Sequence, residues 1–179
     1  IQMITSLQII DKKDLNSYLA VASEIYPVIS ILNKEHQIVS KLISHTLGVT
    51  SLNSYGFRLF SGSFDNTVNV WDLNKSLPLS LFHIASNEIT AIETGTFCDH
   101  LFLFMGTKNH NVYCWSVTLK KILFEINLNE NTIPKKIVFM SASNNENGDF
   151  CKLMVISEFE DPTIQNIFKT NEVQYFEFM

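Results

Sequence analysis

Residues 59–73 read LFSGSFDNTVNVWDL. Ser61, Ser63 and Asp65, with His45 upstream, are the residue types of a nucleophilic hydrolase. They are equally the types that close turns and satisfy polar groups inside a β-sheet. The pattern around them favours the second use. Two β-like runs, residues 58–64 and 67–73, flank Asp65-Asn66, where Asx side chains tolerate a tight turn. Val68, Val70 and, less cleanly, Leu73 give the second run one more buried face. The nucleophile elbow of one large hydrolase class reads Gly-x-Ser-x-Gly, and no such motif is present. Ser61 and Ser63 fall inside a predicted strand, not on an exposed strand-to-helix turn.

Outward from this stretch the same order repeats. VTSLNSY, RLFSGSF, TVNVWDL and PLSLFHI follow one another between residues 49 and 84. EITAIET, HLFLFMGT, NVYCWSV and KILFEIN follow between Glu88 and Asn127. Trp71 and Trp115 stand 44 residues apart, and Ser61-Gly62-Ser63 aligns with Met105-Gly106-Thr107. This is self-similarity at a fixed period, four strands per period. Fainter copies flank it. Upstream come YLAVASE, PVISILN and HQIVSKL, with Ile31 in the place of the Trp. Downstream come KKIVFMS and FCKLMVISE, then a long insertion, EFEDPTIQNIFKTNE, and a returning run, VQYFEFM. The Asn-rich segment 141–149 reads as a loop. Helical periodicity is absent from most of the chain.

Composition sets the outer bounds. The 179 residues suffice for one domain with a core, and 46% hydrophobic with 17% charged residues is a globular balance. The net charge is −5 and no Lys/Arg run occurs, so nucleic-acid binding has no electrostatic footprint. The longest apolar run, around Leu101–Met105, is too short to span a bilayer, and direct membrane insertion is not expected. Residues 1–10 lack the charged region and cleavage site of a signal peptide. Three cysteines, Cys98, Cys114 and Cys151, without paired spacing point to a reducing, cytoplasmic setting.

A repeat of about 44 residues with Trp-Asp near the end of its third strand resembles the WD40 β-propeller family. Ser44-His45 stands where that family usually has Gly-His, and residues 59–73 follow its pattern closely. The next repeat keeps Gly106, Thr107, Val112 and Trp115, but Asn109 replaces the turn Asp, Ser116 the Asp after Trp, and Ala85 the His. The resemblance implies an all-β fold of four-stranded antiparallel blades, a partial propeller of about three to four. One WD40-like region would cover 1–179, with blades at about 15–43, 44–84, 85–127 and 128–179. It implies a structural tetrad of His45, Ser61, Asp65 and Trp71, with Asn109 and Trp115 as the degenerate equivalents. It also places Phe64 and Lys108 on the loop face that partners contact.

Metal and phosphate chemistry find little footing. Cys98, His100, His110 and Cys114 look like a Cys/His cluster. The strand between them, however, spans about 20 Å at about 3.3 Å per residue. No phosphate cradle and no paired-Arg motif is present; Arg58 stands alone. Glu158, Glu160 and Asp161 form a small acidic loop, read as solvated with docking as the rarer use.

The expectation is therefore a non-catalytic protein-interaction scaffold without cofactor or metal, binding other proteins through loop and strand-end side chains. An alternative is the C-terminal targeting propeller of a larger protein, such as a BEACH-type trafficking protein or an F-box adaptor. The missing initiator Met suits that reading, which puts further blades or domains upstream and allows membrane association through partners. An incomplete ring would leave open strand edges, inviting aggregation or dimerisation.

Overall fold

Short runs of β-branched, aromatic and leucine side chains, cut by turn formers, become strands. The computed structural model describes residues 4, 6–11, 17–74, 77–83, 87–142, 150–159 and 172–178; among these every regular element is a strand. A first antiparallel sheet runs in chain order through β1 (Ser6–Asp11), β2 (Ser17–Ala22), β3 (Val28–Leu32) and β4 (Ile38–Ile43). A second joins β5 (Val49–Tyr55), β6 (Arg58–Ser63), β7 (Thr67–Asp72) and β8 (Leu77–His83). The third joins β9 (Ile89–Phe97), β10 (His100–Thr107), β11 (Asn111–Ser116) and β12 (Lys121–Asn127). In the fourth, β13 (Thr132–Ala142), β14 (Phe150–Phe159) and β15 (Glu172–Phe178) are described.

The chain divides into two compact units, Ile1–Ile89 and Thr90–Met179. In the first, Ile10, Ala20, Ala22, Ile29, Ile31 and Leu42 of one sheet pack with Val49, Leu52, Leu59 and Trp71 of the next. Hydrogen bonds stitch the same two sheets: Leu52 N–H donates to Ser6 Oγ (3.0 Å), and Gln8 Nε2 donates to Ser54 Oγ (2.9 Å). In the second unit, Ala91, Phe104, Val112 and Cys114 pack with Ile137, Leu153 and Val155. The Phe104 and Phe139 rings stack at 5.0 Å, and Thr90 Oγ1 donates to Pro134 O (2.5 Å).

Two details depart from the sequence reading. A strand, β1, precedes residue 15, pairing with β2 from Ser6↔Ala22 to Asp11↔Ser17. No turn former sets it off from the residues before it, so its onset left no boundary signal. Further, the place of the tryptophan in the first sheet falls to Leu32, not Ile31. Leu32 stands opposite Leu19, as Trp71 stands opposite Leu59 and Trp115 opposite Leu103. The ladder slips between Ile31 and Leu32, just before Leu32 as it does just before each tryptophan, which marks the same position; alternation alone does not tell Ile31 from Leu32. Ala85, residues 143–149, Glu160 and Asp161 lie outside the described residues, and of Glu158 only its place in β14 is described.

Candidate functional site

The second sheet brings His45, Ser61, Asp65 and Trp71 together. Ser61 and Trp71 face the same side because Ser61 pairs with Asn69 and Leu59 with Trp71, two residues apart along each strand. His45 enters from the segment between β4 and β5, and Asp65 from the turn between β6 and β7. The Trp71 indole N–H donates to Ser61 Oγ at 2.8 Å, and Ser61 Oγ lies 2.8 Å from His45 Nε2. His45 Nδ1 lies 3.0 Å from Asp65 Oδ2.

Donor counting fixes the protons. Asp65 only accepts, so Nδ1 carries the imidazole hydrogen. Nε2 is then an acceptor, and the Ser61 hydroxyl donates to it while accepting from Trp71. In this relay the step from Ser61 to Nε2 needs a neutral imidazole, because a protonated Nε2 cannot accept. Burial pushes His45 below its ordinary value, against the upward pull of the Asp65 charge, and keeps it neutral. The 3.0 Å contact is therefore a hydrogen bond from neutral histidine to an ionised carboxylate, not an ion pair. Burial alone would raise the Asp65 carboxyl. Hydrogen bonds from Thr67 and from the Thr46 N–H, together with His45, outweigh it and hold the group below the usual carboxylate range.

Thr67 is the member that sequence reasoning missed. Its N–H and hydroxyl both reach Asp65 Oδ1 (3.0 and 2.5 Å), and its Oγ1 sits 3.1 Å from His45 Nδ1. Asp65-x-Thr67 is a turn in which an Asp side chain captures the N–H two residues on, a signal present in the sequence. Ser63 closes the turn further, donating to Gly48 O (2.8 Å) and accepting from Asp65 N–H (3.2 Å).

The Ser61–His45–Asp65 spacing is that of a hydrolytic triad, so geometry alone does not separate the two readings. Burial does. Ser61 is 0% exposed and its hydroxyl is engaged as donor and acceptor at once, leaving no approach for a carbonyl carbon.

The third sheet repeats the register but not the clasp. Trp115 pairs with Leu103, and Met105 stands where Ser61 stands; a thioether has no proton to pass on. Thr107 Oγ1 donates to Asn109 Oδ1 within the turn. Phe64 and Lys108 open the corresponding turns, in the first and second unit respectively; Phe64 is half-buried and Lys108 exposed. Both turns close on a left-handed residue, Asn66 at φ 66° and His110 at φ 65°. His110 Nδ1 lies 2.8 Å from Thr132 O, so His110 is engaged with the start of β13. Cys98 and Asp99 form the two-residue turn ahead of β10, both with positive φ, while Cys114 is buried in β11. Among the described residues, no three His, Cys, Asp or Glu side chains converge on a metal position. No helix there is long and apolar enough to cross a membrane.

Comparison with known proteins bears on the repeat and on the fold. Residues 36–72, from the turn before β4 to the end of β7, match the family "WD40: WD domain, G-beta repeat". Over 90 residues the chain is 30% identical to Cell division control protein 4 of Candida albicans, covering 48% of this chain and 13% of that protein. Over 70 residues it is 31% identical to the Denticleless protein homolog of Danio rerio, covering 38% and 11%. The chain thus spans a small fraction of the length of the curated relatives it matches. Among solved structures, the computationally designed Ika4 protein superposes with a TM-score of 0.70 at 16% identity, over 99% of this chain and 92% of that one. The designed Ika8 protein gives 0.66 at 18% identity, over 97% and 46%. Match and fold agree: residues 36–72 form a WD40 repeat, and the described residues form antiparallel sheets, three of them four-stranded, as in the blades of a β-propeller.

Proposed function

We propose that the chain is a non-catalytic protein-interaction scaffold, that His45, Ser61, Asp65, Thr67 and Trp71 form a structural clasp, and that Phe64 and Lys108 contact partners. WD40 repeats generally mediate contacts between proteins, which supports the first part. The observation that carries the reading is the burial of Ser61 beneath a hydrogen bond from Trp71. A triad-like arrangement that excludes substrate serves to hold the loop before β5 onto the turn before β7. A cytoplasmic setting belongs to the same reading, as do proteins as partners in preference to nucleic acid or lipid. The four sheets, the first taking in β1 and so running from residue 6 to 43 and the others at about 44–84, 85–127 and 128–179, act in it as successive blades. The targeting propeller of a larger trafficking protein or adaptor has no better support.

Two measurements test the proposal. The purified chain, assayed on activated esters and fluorogenic peptides, is expected to give no turnover above background. Turnover abolished by Ser61→Ala with folding intact overturns it. Proximity labelling in cells with Phe64→Ala and Lys108→Glu chains is expected to lose a set of neighbours that the parent chain labels. An unchanged set removes these two residues from the contact face.

A further inference from the structure

The clasp fixes more than one turn. In the first unit it locks together three connections at one end of the sheets: residues 23–27 between β2 and β3, 44–48 between β4 and β5, and 64–66 between β6 and β7. Val49 N–H donates to Ser23 O (2.9 Å), Phe64 N–H to Gly48 O (3.1 Å), and Ser63 Oγ–H reaches Gly48 O (2.8 Å). Gly48 lies against the backbone of Glu24 so closely that a Cβ there would stand 1.6 Å from Glu24 O. Only glycine permits that approach, and the two connections therefore touch main chain to main chain.

On this rigid base stand side chains that a folded chain ordinarily hides. Ile25 is 56% exposed, Tyr26 51% and Leu47 52%, with half-buried Phe64 in the adjoining turn. The three connections carry the carboxylates Glu24 and Asp65 and no Lys or Arg, and their one histidine, His45, is held neutral by burial. An apolar, partly aromatic surface on pinned backbone suits binding, because little ordering remains to be done on association. The unbalanced negative charge selects the partner's sign.

We infer that the Ile25–Tyr26–Leu47 end of the first unit is a preformed docking surface for a partner protein's apolar segment carrying a Lys or Arg beside its anchor residues. The inference rests on the scaffold reading and gives it a specific surface and a partner of stated chemistry. Tyr26 and Leu47 seat the apolar anchors, and Glu24 at their edge receives the cation.

A random twelve-residue peptide display library, selected against the whole 179-residue chain, tests this directly. The winning peptides are expected to combine apolar residues with Lys or Arg. Made synthetically, they should lose roughly tenfold or more in affinity for a Tyr26→Ser/Leu47→Ser double variant, and several-fold for Glu24→Lys. Both serine positions are half-exposed, so the variants should melt as the parent does; Glu24→Gln provides a milder second variant. Acidic winners, or winners that bind the double variant as tightly as the parent, overturn the inference. Winners that ignore Tyr26 and Leu47 but weaken on Phe64→Ala or Lys108→Glu overturn it while leaving the scaffold reading in place. No winners at all would count against both.

Discussion

His45 holds the clasp in one protonation state, and this makes stability depend on pH in a predictable direction. Its folded value lies below the ordinary 6.5, so as pH falls the unfolded chain takes up the proton first. The stabilisation is complete above about pH 6.5 and is lost as pH falls from there through the folded value. Asp65 adds a second loss with the same sign: its stabilisation is complete above its ordinary 3.8 and disappears as pH falls through its own lower value. Urea midpoints measured from pH 8 to pH 3 should therefore decline in two stages, and His45→Gln should remove the part of the upper stage due to this imidazole. A variant whose profile is parallel to the parent's between pH 7 and 5 would contradict the neutral relay. Trp71→Ala should cost roughly 3–5 kcal/mol, since it empties a fully buried site and strips Ser61 of its donor. An unchanged midpoint would rule out the clasp. Asn69 runs the other way. It is fully buried opposite Ser61, whose hydroxyl is already engaged, and neither atom of the Asn69 amide has a partner. Asn69→Leu, a near isostere, should raise stability by about 1–3 kcal/mol in the same denaturation assay.

At the scale of the strands, the 44-residue echo between Trp71 and Trp115 is an echo of register. Leu59 faces Trp71 and Leu103 faces Trp115, and in both sheets the ladder slips just before the tryptophan. Alternating side chains and turn formers made the strands legible, and the positions of His45, Ser61, Asp65 and Trp71 followed from matching a repeat. Thr67 did not, because β-branched residues are ordinary in strands and its second use depends on which way the Asp65 carboxylate turns. Nor did the Leu32 position, since neither Ile31 nor Leu32 carries a ring to mark it and only the register shows which of them stands opposite Leu19. The exposure of Ile25, Tyr26 and Leu47 was equally hidden, since an apolar residue in sequence reads as core until its neighbours are placed. Packing inside the second unit gives a prediction of its own. A Cβ at Gly95 would lie 2.0 Å from the Phe139 ring, which in turn stacks on Phe104. Gly95→Ala should force that ring aside and cost about 1–3 kcal/mol, visible as a lowered thermal midpoint. A midpoint at or above the parent's would show that the ring has room to move.

Across the whole molecule, the distribution of apolar surface decides how the chain behaves in solution. The first sheet buries one face and leaves on the other a row that crosses all four strands: Ile9, Leu19, Leu32 and Ile38, each paired with the next. Leu19 and Leu32 are half-buried beneath their neighbours, but Ile9 is 65% and Ile38 56% exposed, and Leu7 stands beside Ile9 on the same face. Sheets that present such a row to water associate unless charge or another chain covers it. The 179-residue chain should therefore self-associate as its concentration rises, and a Leu7→Lys/Ile9→Lys variant should shift sedimentation toward the monomer without lowering the thermal midpoint by more than a few degrees. The lysines would place charge on a surface where the native side chains already contact water, so the fold has little to lose. A parent chain that sediments as a monomer at every concentration would show that this face is covered within the chain itself.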